Sequence, residues 1–341
     1  MTSDPKLPLG QDEVWMDKAL RVAERGQGTT AENPCVGCVI VSPDNRLIAA
    51  AHTAKGGRPH AEQQALLMAG SDAHGATAYV TLEPCSHLGK TPPCARALVA
   101  TGIKRVVIAA LDRDERVSGK GAQMLRDAGV EVVESVLKNQ AEYQLRGFLH
   151  RMKTGRPFVM LKMAMSQDEK IAAAVGQETP ITGPLFKQRV HLLRAKADAV
   201  LVGAGTYRTD NPSLTCRLSG MENRSPTRVI MGGKDLKLQQ NDIHFAGAID
   251  LNIMLDSLGT TGINLLLVEG GAKIARSFIE ADLVDEAIIA TAPTTIGKQG
   301  VSAFAGLPVS HIAASDKFIC QSTEQIGQDV VKHYLRDRSV H

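Results

Sequence analysis

Short apolar runs that read as buried strands alternate with helix-patterned stretches along most of the chain, and this alternation limits the fold more than any other feature. Residues 12–25 carry a helical pattern, and 36–42 and 47–52 read as strands around the turn Pro43-Asp44-Asn45. A helix begins near Ala61, a strand covers 78–82, and a helix follows Pro92-Pro93. A strand at 105–110, a helix at 121–128, a strand-like segment at 131–136 and a helix from about 139 to 153 complete the first series. Lys153-Thr154-Gly155-Arg156-Pro157 then interrupts the pattern, and a new apolar run, 158–165, starts a second series. Helices at 184–195 and 272–280 and strands at 198–202, 264–268, 284–291 and 329–335 belong to it, whereas 220–251 has too weak a pattern to place. Strands joined by crossover helices imply layered α/β sheets. At 341 residues one core rarely suffices, so two domains, 1–150 and 156–341, are expected.

Charge and composition narrow the partners. The net charge is +3 and 4% of residues are aromatic, with no basic stripe and no stacking ladder. That disfavours nucleic acid and leaves a small molecule as the expected partner. The N-terminal segment lacks the basic and apolar regions of a signal peptide, and no run of about 18 apolar residues suggests a membrane span. Six scattered cysteines do not make a disulfide framework. A cytoplasmic, reducing compartment is therefore expected, where clustered Cys and His signal metal.

The chemistry-bearing constellation is His60-Ala61-Glu62, then Glu83-Pro84-Cys85, then Cys94. Catalytic zinc takes three nitrogen or sulfur ligands and leaves a fourth position for water, whose pKa it lowers. His60, Cys85 and Cys94 supply such a set, for one Zn2+ per chain. Glu62, at the start of a helix, can reach the water without binding the metal and serve as general base, then general acid. Pro92-Pro93 suit a helix start, placing Cys94 in a first turn where the dipole favours a thiolate. A structural zinc would need a fourth protein ligand, for which His52 and His87 are the candidates. Zinc-dependent base deaminases carry His-x-Glu followed by Pro-Cys-x-x-Cys, and the pattern here differs only in the wider spacing between its cysteines.

The run Tyr79-Val80-Thr81-Leu82-Glu83-Pro84-Cys85-Ser86-His87-Leu88-Gly89-Lys90-Thr91-Pro92-Pro93-Cys94 resembles the deaminase domain of the bifunctional riboflavin-biosynthesis RibD family. The resemblance implies a cytidine-deaminase-like three-layer αβα domain. It implies deamination of 2,5-diamino-6-ribosylamino-4(3H)-pyrimidinone 5′-phosphate, with Asn33, His87 and Lys90 holding the pyrimidine and its ribosyl phosphate. Two stretches depart from the family pattern: Ala31-Glu32 before Asn33, and Asp112-Arg113-Asp114-Glu115-Arg116-Val117.

The resemblance continues in the second half, through Lys162-Met163-Ala164-Met165-Ser166-Gln167-Asp168-Glu169-Lys170, Val202-Gly203-Ala204-Gly205-Thr206, Asp210-Asn211-Pro212-Ser213-Leu214-Thr215-Cys216-Arg217 and Val268-Glu269-Gly270-Gly271. It implies a dihydrofolate-reductase-like α/β domain that uses NADPH to open the ribose into a ribityl chain. The cofactor would lie against Ala164, Thr206, Asp210, Gly270 and Gly271, since a glycine pair before a helix lets amides approach a pyrophosphate. Substrate would meet Lys162, Arg194, Leu214, Arg217 and Glu269, the arginines suiting a phosphate. A homo-oligomer, dimer or tetramer, is also expected. Glu169 stands where the family has Gly, Gln167 replaces Leu, Glu178 replaces Ser and Pro180 replaces Trp. The stretch between Arg228 and Glu269 is shorter than the family pattern by about one strand-plus-helix unit. Two enzymatic readings follow, a bifunctional deaminase–reductase and a deaminase with an impaired second domain. A nucleic-acid binder with structural zinc is the third.

Overall fold

β-Branched and alanine-rich runs build the first sheet. In the computed structural model, which describes residues 10–87, 92–112, 119–177 and 179–338, the chain divides into two units, Met1–Gly155 and Arg156–His341. The first sheet comprises β1 (Gly37–Val41), β2 (Leu47–His52), β3 (Thr77–Leu82), β4 (Arg105–Ala110) and β5 (Glu131–Val133), in the order β2-β1-β3-β4-β5. β1 runs antiparallel to β2 and β3, and β3, β4 and β5 run parallel. All of β1 is buried, as expected of a strand covered on both faces.

The covering helices are α1 (Gln11–Glu24), α2 (Ala61–Ala69), α3 (Cys94–Ala100), α4 (Lys120–Asp127), α5 (Lys138–Gln144) and α6 (Arg146–Thr154). α2, α3 and α4 touch in series, and α1 touches α5, giving helical layers around the sheet. Ile40, Leu98, Ile108 and Leu125 are fully buried between layers. Each such side chain contributes about 1.5–3 kcal/mol relative to exposure. The single helix expected from 139 to 153 is two, because Leu145 leaves helical geometry at φ −91° and ψ 6°.

The second unit carries β6 (Phe158–Ser166), β7 (Lys170–Ala172), β8 (Ala199–Gly203), β9 (Thr227–Met231), β10 (Ile243–Phe245), β11 (Leu265–Val268), β12 (Glu286–Ala292), β13 (Val301–Ser302), β14 (Phe318–Ile326) and β15 (Asp329–Arg336). Its main sheet has eight strands in the order β10-β9-β8-β11-β6-β12-β15-β14. β10 through β12 in that order are parallel neighbours, and β15 runs antiparallel to both β12 and β14. Helices α7 (Pro184–Lys196), α8 (Ala204–Asp210), α9 (Leu251–Thr260) and α10 (Ala272–Glu280) accompany it, and two apolar clusters form its core.

The weakly patterned stretch 220–251 resolves into β9 and β10. The segment between Arg228 and Glu269 supplies the edge strand β10 and helix α9. Among the described residues no helix is long and apolar enough to cross a membrane.

Candidate active site

His60 ends the loop before α2 and occupies its N-cap with extended backbone, so its ring stands at the mouth of the helix. Glu62 lies in the first turn of α2 and is 3% exposed. Cys85 follows the C-terminal end of β3, and Cys94 is the first residue of α3. These elements bring His60 Nδ1 to 3.7 Å from Cys85 Sγ and 3.3 Å from Cys94 Sγ. The three donor atoms all lie within 4.8 Å of one another. Metal–ligand bonds of about 2.0–2.3 Å at tetrahedral angles put donors roughly 3.5 Å apart, so these residues fit a zinc ion. Among the described residues no fourth ligand joins them. His52 instead places Nδ1 at 2.8 Å from the Thr53 carbonyl. A three-donor set leaves one coordination position open, as catalysis requires.

The Cys94 thiol is pushed well up, first by its hydrogen bond with the Cys85 side chain and then by burial. Cys85 is the sulfur held low, because the Cys94 side chain and His60 both stabilise its thiolate. The Cys94 backbone N–H points at Cys85 Sγ, 3.3 Å away, and the Ala95 N–H bonds the Cys85 carbonyl. Cys85 thus caps α3, and the helix amide serves the neighbouring cysteine. Burial pushes the Glu62 carboxyl up to about 7, with His60 opposing. A carboxyl so placed exchanges a proton near neutral pH.

Glu83 holds this arrangement from behind. It is 3% exposed, and its carboxylate accepts backbone N–H groups of Asp112 at 3.3 Å, Gly119 at 2.9 Å, Gly121 at 2.9 Å and Ala122 at 3.2 Å. The carboxylate therefore ties the end of β3 to the start of α4. Gly121 is required there, since a Cβ would fall 1.9 Å from the Pro84 carbonyl oxygen. The motif shows Glu83 without a role for it, because its partners lie some thirty residues away, beyond the reach of local spacing.

Asn33 packs its side chain against Gly57, where a Cβ would come within 2.1 Å of its Nδ2. Gly57 is three residues before His60, so Asn33, in the connection between α1 and β1, packs against the loop that leads into His60. His87 Nδ1 is buried with no hydrogen-bond partner among the described residues. Lys90 and Asp114 fall outside the described residues.

In the second unit, Arg194 on α7 makes a two-pronged ion pair with Glu269 at the end of β11, at 2.6 and 2.9 Å. Their side chains are 13% and 7% exposed. Arg194 also donates to the Thr215 carbonyl, and His191 Nδ1 lies 3.1 Å from that carbonyl oxygen and 3.4 Å from the Arg217 nitrogen, its tautomer serving one or the other. The loop 211–217 is thereby drawn against α7, with Leu214 buried at φ 55° and Arg217 exposed. Burial lowers the Lys162 ammonium, with Glu269 opposing and Arg194 adding to the effect, so these three face one another. The Arg194 fork is committed to Glu269, whereas the Arg217 side chain is exposed. Thr206 faces the glycine pair, since a Cβ on Gly271 would sit 3.2 Å from its Oγ1. Ala164 lies on β6 opposite Ala290 of β12, and Asp210 is exposed at the end of α8. Asp168, unassigned from sequence, receives the Ile296 and Gly297 N–H groups at 3.0 and 2.7 Å and the Ser166 hydroxyl at 2.7 Å. Glu178 falls outside the described residues.

A thiolate, a second sulfur and an imidazole around one point, with a buried carboxyl beside them on an αβα frame, define a zinc-dependent deaminase domain. The eight-stranded sheet that follows forms a second α/β domain with its own polar cluster, Lys162, Arg194 and Glu269. Known proteins agree: residues 9–110 match the "Cytidine and deoxycytidylate deaminase zinc-binding region" family, and residues 157–332 match the "RibD C-terminal domain" family. The riboflavin biosynthesis protein RibD of Escherichia coli K12 is 36% identical, with 95% of this chain and 99% of the relative aligned. RibD of Bacillus amyloliquefaciens is 40% identical over 84% of this chain and 85% of its own. The form 1 structure of Acinetobacter baumannii RibD superposes with a TM-score of 0.86 at 36% identity, covering 96% of this chain and 99% of that one. The chain belongs to the RibD family of riboflavin biosynthesis proteins. The E. coli alignment runs over 367 residues against this chain's 341, so that relative carries segments this chain lacks.

Proposed function

We propose that this protein catalyses two successive steps of riboflavin biosynthesis. The first is hydrolytic deamination of 2,5-diamino-6-ribosylamino-4(3H)-pyrimidinone 5′-phosphate. The second is NADPH-dependent reduction of the product's ribosyl group to a ribityl chain. The observation that carries the reading is the convergence of His60, Cys85 and Cys94 within 4.8 Å beside the buried Glu62.

His60, Cys85 and Cys94 would hold the zinc, which when bound supplies a Lewis acid that makes water a competent nucleophile at neutral pH. Glu62 takes a proton from the attacking water and passes it to the departing amino nitrogen. Its carboxyl, raised to about 7, is matched to both directions of transfer. Asn33, an amide packed against the loop before His60, reads the ring edge, and His87 and Lys90 meet the phosphate. Buried Nδ1 of His87, lacking a partner among the described residues, is the polar atom a substrate would satisfy.

In the second unit, Lys162 in the middle of β6, Glu269 just past β11 and Arg194 on α7 form the polar floor, with Leu214 against it and Arg217 at the rim. Thr206 and Gly270-Gly271 receive the cofactor pyrophosphate, with Ala164 and Asp210 alongside. Open parallel sheets bind ligands beyond the carboxyl ends of their strands, and Thr206 follows the end of β8 as Glu269 and Gly270-Gly271 follow the end of β11. The retained cluster of Lys162, Arg194 and Glu269 favours two activities over a silent second domain. Assembly as a homo-oligomer and a cytoplasmic location complete the proposal, the former open to light scattering. The test is an assay on the diaminopyrimidine nucleotide with and without NADPH. Ammonia should appear in both, and loss of NADPH absorbance only when nucleotide is present. Absence of ammonia release from zinc-loaded protein would refute the reading.

A further inference from the structure

α8 and β9 are joined by a stretch without regular structure, and its first part carries Leu214 and Arg217, both read above as substrate contacts. A connection of this kind holds a side chain on target only where its own backbone groups are tied down. Arg228, buried on β9 and paired with Asp242 at 2.7 and 2.6 Å, donates to the Pro212 carbonyl at 3.3 Å. Arg194 donates to the Thr215 carbonyl at 3.3 Å, and the Cys216 N–H donates to Ser225 Oγ at 3.1 Å. Leu214 is buried with a left-handed φ of 55°, which a residue other than glycine keeps only where its surroundings impose it.

The backbone of Arg217 itself is held from α7. Its N–H meets no acceptor among the described residues except His191 Nδ1, 3.4 Å away, and that nitrogen also lies 3.1 Å from the Thr215 oxygen. His191 and Arg194 are three residues apart on α7, so they share a face and meet the loop together. Burial lowers the His191 imidazolium, with Arg194 and Arg217 acting the same way and the Thr215 carbonyl and Glu269 opposing. The ring is therefore neutral near pH 7. A neutral ring ties the loop in either tautomer: a protonated Nδ1 donates to Thr215, and a bare Nδ1 accepts from Arg217.

We propose that His191 is a positioning residue for the reduction step, fixing the backbone from Thr215 to Arg217 and so aiming the Arg217 guanidinium at the substrate phosphate. The Arg194 fork is committed to Glu269, so the exposed Arg217 is the cation this loop offers that anion. A guanidinium grips a phosphate through two oxygens only when its fork is held in place, and releasing the loop weakens substrate binding. The inference rests on the reductase reading above and adds to it a residue that acts through another.

The test measures KM for the deaminated nucleotide and kcat of NADPH oxidation in wild type, H191A, H191Q, H191N, R217A and the H191A/R217A double variant, with thermal unfolding of each. H191A and H191Q should raise KM about 5- to 10-fold, the size of one lost hydrogen bond, and leave kcat within about 2-fold. H191N should stay within about 2-fold of wild type, because its amide lies as many bonds from Cβ as Nδ1 does, whereas the Gln amide lies one bond further. Adding H191A to R217A should raise KM by less than about 2-fold more, since the two act as one unit. An unchanged KM in H191A would overturn the inference and leave the reductase reading intact, as would H191N no better than H191Q, or fully additive losses in the double variant. Should H191A unfold too readily to assay, H191N against H191Q decides alone. Failure of wild type to oxidise NADPH with the deaminated nucleotide would instead bring down the reductase reading, and this inference with it.

Discussion

Single residues decide the chemistry of the first unit and part of the stability of the second. Glu62 is buried, lies in the first turn of α2 and has its carboxyl raised to about 7 by that burial. Glu62→Gln keeps the shape and leaves His60, Cys85 and Cys94 untouched, so zinc content should stay at one ion per chain. Deamination should fall by about 10²–10⁴-fold, the usual worth of a positioned proton shuttle. Elemental analysis together with an ammonia assay checks both halves. Near-normal turnover would assign the proton transfers elsewhere. Glu169 presents the opposite case, a residue that works against its own backbone. It sits at φ 58°, where a side chain crowds the peptide and glycine does not. The family places Gly at this position, and the left-handed turn gives the physical reason. Glu169→Gly should therefore stabilise the protein by about 0.5–1 kcal/mol, the relief of the Cβ penalty less the added freedom of the unfolded chain. Thermal or urea unfolding measures it, and a loss of stability would show that the Glu169 side chain makes compensating contacts.

At the scale of elements, much of the fold and the heart of the metal site were legible because their signals are local. Strands such as β1 and β4 are short apolar runs bounded by turn residues, and His60 and Cys94 stand beside helix starts that Pro and apolar spacing announce. What stayed hidden depends on distant partners or has weak periodicity. β14 is mostly exposed, so Phe318–Ile326 shows no apolar run to mark it. α8 is seven residues of Ala-Gly-Thr-Tyr-Arg-Thr-Asp, a composition with little helix propensity of its own. The roles of Glu83 and Asp168 come from backbone amides that are remote in sequence. Asp168 clips the turn after β6 to the loop after β12, reinforced by the Gln167 N–H bonding the Thr294 carbonyl. Its carboxyl is held down to about 2, first by the Ser166 hydroxyl and then by the Ile296 and Gly297 amides. Because the folded pKa lies below the unfolded value of about 3.9, the clip stabilises fully above that value. It is lost as pH falls toward 2. Asp168→Asn should thus be less stable than wild type at neutral pH, with the gap narrowing between about pH 4 and pH 2. Denaturant unfolding across that range is the measurement, and a gap independent of pH would deny the carboxylate its role.

For the whole molecule, two units with separate cores carry two separate sites. The proposed zinc ligands His60, Cys85 and Cys94 and the proposed acid–base Glu62 all belong to Met1–Gly155, whereas Lys162, Arg194 and Glu269 all belong to Arg156–His341. Neither set of hydrogen bonds described for one site draws on the other unit. The two reactions should therefore be separable in the intact protein. Cys94→Ala leaves His60 and Cys85 with an unfilled thiolate position, and a site lacking one of three ligands binds its ion far less tightly. That variant should lose zinc and ammonia release together. When supplied directly with the deaminated nucleotide, it should still oxidise NADPH within about 2-fold of wild type, the scatter expected for a remote change whose effects do not couple. Treatment of wild type with a strong chelator should reproduce the same split. The converse variant, Arg194→Ala, strips Glu269 of both its hydrogen bonds and leaves its buried carboxylate with only the Lys162 ammonium facing it, so reduction should fail while deamination persists. Measuring both half-reactions on both variants makes a four-way comparison, with zinc content as the independent readout. If removing zinc also abolished reduction of supplied product, the metal would be sustaining the second unit as well as the first.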